Sequence, residues 1–415
     1  MWRLAGAVML GHLAGWVSAA DIHADPENYR ELVRQLQPGD RLLLAPGDYV
    51  HGLTLHNLSG NPTLPIVIEA AQPTTPPRLL ARPGANTISL LNVRYLILRY
   101  LELDGRNIPV DAIKAEGHSR YADFITLEHL YIHHHAASQQ NVGISSKCAA
   151  HGWQIRHNRI EQVGTGMYLG NSDGSAPFVA GLIELNQISH TLGYNLQIKH
   201  QTNRPEGLAN QFDTVIRYNV FSKQDAEPGP LARPNLLLGH FPLSGPGRED
   251  RYLVYGNLFL PNPSEAVFQA EGRVALYNNI FINDHGDAIH IQPHNDIPRD
   301  MAIFSNTIVA SGAGIQIRRA GNSPYRQRVV ANLVVAQTPI TGVTGVGNIM
   351  LPYRRDLSAL TVPDLVKRLQ QSSLAAHTMP EHGMREMSSF PDWTPTQQAG
   401  ATPPTPLLNL LNRQP

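Results

Sequence analysis

The sequence predicts an all-β chain wound as a right-handed parallel β-helix, and three observations carry that prediction. A unit made of a short apolar strand around an asparagine, a turn and a second alternating strand recurs, as in IRHNRIEQVGTGMYLGN (155–171), IELNQISHTLGYNLQIKH (183–200) and IFSNTIVASGAGIQIRR (303–319). The asparagines are Asn158, Asn186, Asn219, Asn257, Asn279, Asn306 and Asn332, spaced by subtraction at 28, 33, 38, 22, 27 and 26 residues. A repeat of this length built from strands cannot bury its apolar face until neighbouring coils stack on it. The Leu-x-x-Leu-x-Leu frame of leucine-rich repeats is absent, and propeller blades would be longer. The uneven increments fit coils whose loops differ in length, and the recurring asparagine fits a ladder of buried amides bonded from coil to coil.

The elements follow in order. Residues 1–20 read as a secretory signal: an arginine at position 3, an apolar run from Leu4 to Trp16, then VSAAD with small residues suited to cleavage after Ala19 or Ala20. That run is shorter than the roughly 20 apolar residues of a spanning helix, so a periplasmic or secreted protein with no membrane span in the mature chain is expected. ADPENYRELVRQL places Asp25 as N-cap and Pro26 at the first helical position of a helix to about Leu36, which would cap the open end of the solenoid. The β-helix is expected over 21–350. Beyond it, over 351–415, VPDLVKRLQQ suggests a short helix and TPTQQAGATPPTP a loose Pro-rich tail.

Composition narrows the function classes. Thirty-three Lys plus Arg balance 33 Asp plus Glu, so the totals carry no footprint for nucleic acid, although a local cationic groove could still meet a polyanion. One cysteine, Cys148, excludes an internal disulfide framework and a cysteine-based zinc site. A monomer is expected.

LQPGDRLLLAPGDYVHGLTLHNLSGNPTLPIVIEA (36–70) resembles the first coil of chondroitinase B and the related alginate lyases, with its Pro-Gly-Asp turn, Ala-Pro-Gly-x-Tyr turn and Asn-Pro-Ile strand. The resemblance implies the pectin-lyase-like β-helix superfamily. In those lyases a Lys-Ser on one coil faces an Arg-His-Gly two strands later. Lys199 and His200 lie near the first motif and Gly239 and His240 near the second, with Leu238 at the arginine position. The glutamates that hold calcium in that family are replaced by Leu192 and Tyr194, so no cofactor and no metal are expected. QPHNDIPRDMAIFSNTIVASGAGIQIRR (292–319) is similar to the Asp-Pro-His-Asp segment of periplasmic mannuronan C5-epimerases, with Gln292 in place of the aspartate. That likeness implies His294 as the catalytic histidine and Arg319, or Arg318, as the carboxylate-binding arginine.

Aligning the second strand of each coil stacks outward side chains in columns. One column is expected to hold Lys114, Ser145, Tyr168, Gln197, Leu237, Phe268, His290 and Gln316. Two residues on come Glu116, Lys147, Gly170, Lys199, Gly239, Ala270, Gln292 and Arg318, and at the turn Asn171, His200, His240, Glu271 and Arg319. Lys147 with Glu116 also reads as a surface pair, and His133 to His135 as a solvated turn. His290 and His294 would share a metal on a helix, but on a strand roughly 13 Å of rise separates them.

These columns offer Lys199, His240, His294 and Arg319 as catalytic candidates, and Lys147, Tyr168, His200, Glu271, His290 and Arg318 as substrate contacts. A uronate site needs a cation at the carboxylate, a base for the C5 proton and an acid for the leaving oxygen. The sequence therefore favours a lyase-like enzyme acting on an acidic polysaccharide by C5 proton abstraction and β-elimination. A uronan C5-epimerase and a non-catalytic glycan-binding β-helix with a decayed site are the alternatives. A hydrolase would need two facing carboxylates, for which Asp173 and Glu271 are available.

Overall fold

The computed structural model describes residues 19–224, 233–319, 324–358, 360–371, 390, 399–401 and 405–411. The secretory-signal reading of residues 1–20 falls almost wholly outside them. Every strand pairing between coils is parallel, and the strands form three faces. The first face runs from Asp21–Ala24 through Arg41–Leu44, Ile66–Ala70 and successive coils to Gln327–Val330. The second runs from Asp48–Tyr49 to Ile349–Leu351, and the third from Leu53–His56 to the ends of the long strands Thr307–Ile317 and Leu333–Thr341, which belong to both. This is the right-handed parallel β-helix that the sequence predicts.

One coil shows why the sequence folds this way. Val274–Tyr277 lies on the first face, Ile280–Asn283 on the second and Ile289–Ile291 on the third. Between the first two, Asn278 takes a left-handed φ of 52° and Asn279 turns its side chain into the wall. Asn279 Nδ2 donates to Val254 O, Tyr277 O and Asn306 Oδ1, while its Oδ1 accepts from the backbone and side chain of Asn257. The same bonds link Asn158, Asn186, Asn219, Asn257, Asn279, Asn306 and Asn332, all buried, and continue one step further to Asn348. Apolar residues of all three faces fill the interior, including a stack of Phe221, Phe259 and Phe281.

At the amino terminus the helix is shorter than expected, Tyr29–Val33, with Asn28 as N-cap and no side-chain cap bond. Asp25 does not cap it, because its Oδ1 accepts from the amides of Glu27 and Asn28 and closes a separate turn. Tyr29, Val33 and Leu36 are buried in the core cluster, and the Tyr29 hydroxyl donates to Gly52 O at 2.8 Å.

The carboxy-terminal segment is not wholly loose. Leu357, Val362, Leu365, Ala401 and Leu407 pack on outward apolar residues of the second face, among them Ile282, Val309, Leu333 and Val335. Ala401 N donates to Thr307 Oγ1 and Gly400 N to Ala331 O. The Pro-rich composition hid the short helix Thr405–Leu411, whose Leu407, Leu410 and Leu411 join this cluster.

Candidate functional site

The third face carries the outward columns, and pairing register fixes their members. Lys114, Ser145, Tyr168, Gln197, Leu237, Gln269, His290 and Gln316 are successive partners. Gln269 replaces the expected Phe268, which is fully buried and pairs with Leu236 on the inward side. A one-residue slip exchanges the two sides of a strand, so the neighbouring column also changes. It reads Glu116, Lys147, Gly170, Lys199, Gly239, Glu271, Gln292 and Arg318, each amide bonding to the coil before. Glu271, not Ala270, therefore shares the column of Lys147 and Lys199.

Loops rise beside this face and enclose a cavity of about 790 Å³. Lys114, Lys147, Lys199 and Arg233 give it a cationic lining, with His294 beside them, Tyr168 and Tyr194 as aromatic walls and Asp111 as the one carboxylate among its described lining residues. Gly170 separates Lys147 from Lys199 in their column. Two coil spacings put those strands roughly 10 Å apart, and a Cβ at Gly170 would press on Lys199 Cβ at 3.2 Å. The glycine thus leaves a slot between two lysines.

Burial sets the electrostatics. Desolvation pushes the Lys147 ammonium down to about 8, helped by Lys114 and Lys199 and opposed by Asp111. Its Nζ sits 3.4 Å from the centroid of the Tyr168 ring, a cation–π contact that favours the charged form. Burial also lowers Lys199, with Glu271 opposing. Desolvation raises the Asp111 carboxyl, although Asp111 accepts from Val142 N at 2.9 Å and lies 3.5 Å from Lys114 Nζ. A lysine held near 8 in a cationic cavity can bind an anion and can exchange a proton near neutral pH.

The other candidates separate. His294 lines the cavity with Lys147, Tyr168 and Lys199. Glu271 is buried beneath its rim: Oε2 accepts from the amides of His294, Asn295 and Asp296 at 2.7–2.9 Å, and Oε1 from His240 N at 3.2 Å. It holds the His294 turn in place and does not face the cavity. His240 is buried, its Nδ1 2.7 Å from Phe241 O, and its ring packs against His200 at 5.2 Å. Burial, then Lys199 and His240, lower the His200 imidazole. None of His200, His240 and His290 lines the cavity.

Arg318 and Arg319 are exposed and also stand apart from it, with Arg319 Nε donating to Gln327 Oε1. His294 and these arginines, to which the epimerase likeness gives roles in one site, are therefore not brought together by the cavity lining. The reason is that the column continues past the turn carrying His294, while the cavity loops lie over the earlier coils. Glu116 accepts from Asn86 and Ser89 rather than pairing with Lys147. Asp173 is exposed, and the Ser175 hydroxyl and amide bonded to its carboxylate lower its pKa.

The three histidines of 278–296 have three different surroundings. His285 lies beside Asp284, His290 Nε2 is 2.7 Å from Asp287 Oδ2, and His294 faces the cavity, with Ile289 and Ile291 in the core as expected. His133 and His135 correct another expectation: they belong to the strand Tyr131–His135 and are buried rather than lying in a solvated turn.

Sequence reasoning missed Asp111, Tyr194 and Arg233, which reach the cavity from loops outside the strand period. Lys114 stood in the right column but was not singled out.

No protein-family model matches the chain, and no curated protein matches it in sequence. Solved structures do match. The GH136 lacto-N-biosidase from Eubacterium ramulus aligns with a TM-score of 0.55 at 13% identity, over 80% of this chain and 68% of that one. An alginate lyase from Paenibacillus sp. str. FPU-7 gives 0.43 at 14% over 80% and 98%, and the A-module of the Azotobacter vinelandii mannuronan C-5 epimerase 0.43 at 14% over 79% and 92%. At such identities the likeness is one of fold: this chain is a right-handed parallel β-helix, similar in architecture to proteins of that superfamily.

Proposed function

We propose that the chain is an exported polysaccharide-active protein whose third-face cavity takes a uronic-acid-containing chain and cleaves it by β-elimination. The observation that carries this reading is the cavity lining of Lys114, Lys147, Lys199 and Arg233 against one carboxylate, with Tyr168 and Tyr194 offering faces for sugar rings. Export rests on the sequence pattern of residues 1–20.

In this reading Lys199 neutralises the uronate carboxylate, which makes the C5 hydrogen acidic. The Lys147 amine, held near 8, removes that proton. The electron pair forms the C4–C5 double bond as the C4–O bond breaks, and the Tyr168 hydroxyl protonates the leaving oxygen. His294 contacts the sugar from the same cavity lining. A retaining or inverting hydrolase fits the site less well, because two carboxylates must face each other, whereas Glu271 is spent on backbone amides and Asp173 is outside.

The test is a screen of the mature protein against alginate, pectate and glycosaminoglycans. Ultraviolet absorbance from the unsaturated uronate is expected on one of them. Deuterium entering C5 without chain cleavage would turn the assignment to an epimerase. Binding without either would leave a glycan-binding protein.

A further inference from the structure

On the second face, away from the cavity lining, Asp104, His133 and His134 bring one ligand atom each within 4.8 Å of one another. Asp104 precedes His133 in register, and Glu161 follows it. Neighbouring side chains on a regular strand point to opposite faces, so His133 and His134 would ordinarily diverge. A φ of 56° at His134 breaks the alternation, with His133 paired to Glu161 and His135 to Val163. The two Nδ1 atoms consequently lie 2.7 Å apart. The same bulge recurs at Gln162 and His190, with φ of 51° and 50°. The fold therefore supplies the bulge, and this coil fills it with two imidazoles facing a carboxylate. Gly105 is required beside it, because a Cβ there would collide with the His134 carbonyl.

The surroundings suit a cation. His133 is buried, and its Nε2 lies 3.1 Å from Glu102 Oε1. With that N–H donating to the carboxylate, Nδ1 carries the bare lone pair, the arrangement by which an outer carboxylate orients a ligating histidine. Glu102 and Asp104 make the local charge negative. Of the nearby cations, Arg78 is held by Asp48 and Arg159 by Glu161. The Tyr131 hydroxyl donates to Glu161 as well.

We propose that His133 Nδ1, His134 Nδ1 and Asp104 Oδ1 bind a divalent transition-metal ion, zinc foremost, with Glu102 behind His133 and a fourth position open to solvent. Two imidazole nitrogens and one carboxylate oxygen are a zinc-type donor set. A tetrahedral ion with bonds of about 2.0–2.1 Å separates its ligand atoms by roughly 3.3 Å. The separations here are 2.7 Å between the imidazoles and 3.4 and 3.9 Å from Asp104 to His134 and His133, so shifts of about half an ångström complete the site. The His134 side chain is 43% exposed, which gives the ion a route in.

The site would also brace the cavity. Gly105 N donates to His133 O, Asn107 N to His134 O, and His135 Nδ1 lies 3.0 Å from Val110 O. This loop ends in Pro109, Val110 and Asp111, which line the cavity wall.

Calorimetric titration of the chelator-treated full chain with zinc chloride tests the site. One ion per chain is expected, with a raised melting temperature. His134→Ala, at a half-exposed position, should lose at least about tenfold in affinity together with the thermal shift, and Glu102→Gln about 10–100-fold. His285→Ala, at an exposed histidine elsewhere, should bind as the parent does. An absence of saturable binding would overturn the proposal in favour of a metal-free N–H···N contact between the two rings. Equal affinity in His134→Ala would overturn it too, marking adventitious binding elsewhere.

Discussion

Replacing Asn279 by alanine tests the internal ladder where it is most fully connected. The side chain is completely buried and takes part in five hydrogen bonds, three donated by Nδ2 and two accepted by Oδ1. Not all five leave an orphan. The Asn257 side chain keeps Ile216 O and Tyr255 O, and Tyr277 O keeps a bond from Gly256 N. Among the described residues the Asn257 backbone N–H has no other partner, and stranding one buried donor costs about 1–3 kcal/mol. Nδ2 has two N–H groups for its three acceptors, so three further bonds are lost; at about 0.5–1.5 kcal/mol each they bring the destabilisation to roughly 2.5–7.5 kcal/mol. Asn348→Ala is the control. That residue ends the ladder, is only half-buried, and should cost about 1 kcal/mol less or better. Urea unfolding followed by circular dichroism measures both. A midpoint for Asn279→Ala equal to that of Asn348→Ala would refute the reasoning.

Three further outcomes are expected. Glu271→Ala strands the amides of His240, His294, Asn295 and Asp296; it should destabilise by about 3–5 kcal/mol, while Glu271→Gln, which keeps an acceptor, costs less, and equal effects in urea unfolding would contradict the carboxylate's role. If Lys147 is the base, its free amine is needed, so turnover should rise with pH through about 8 and level off above it; Lys147→Arg should keep uronan binding and lose turnover, because arginine stays charged, and a pH-independent rate would count against it. Truncation after Leu351 uncovers Val309, Leu333 and Val335 on the second face and should cause aggregation by light scattering; a monodisperse, equally stable truncation would show that the docked segment adds nothing.

The solenoid was legible because a buried amide every coil is costly unless it is paired, so the asparagines mark a structural period through variable loops. The third-face columns were legible for a related reason, since strand alternation fixes which side chains face outward. They failed at one coil. In the run Val267, Phe268, Gln269, Ala270 three of four residues are apolar, and Val267 and Phe268 are both fully buried, so hydrophobicity could not set the phase. That slip misplaced Glu271.

The cavity was half legible. Lys147, Tyr168, Lys199 and His294 sit on or just past the aligned strands, whereas Asp111, Tyr194 and Arg233 arrive on loops that share no period. His240 stood in the right place along the chain but folds back onto the Phe241 carbonyl. Arg318 and Arg319 continue the columns beyond the cavity. The Asp104, His133 and His134 group was illegible because it depends on a bulge that reverses one side chain within a strand.

The central claim is that the third-face cavity, and not the wider polar strip, acts on acidic polysaccharide. Its most direct test is uronan turnover, read as unsaturated-uronate absorbance, for Lys199→Ala and Arg319→Ala side by side with the parent chain. The account predicts that Lys199→Ala, inside the cavity, abolishes turnover with an unchanged circular dichroism spectrum, while Arg319→Ala, outside it, stays close to the parent rate. Turnover that survives Lys199→Ala, or that is lost in Arg319→Ala alone, would contradict it.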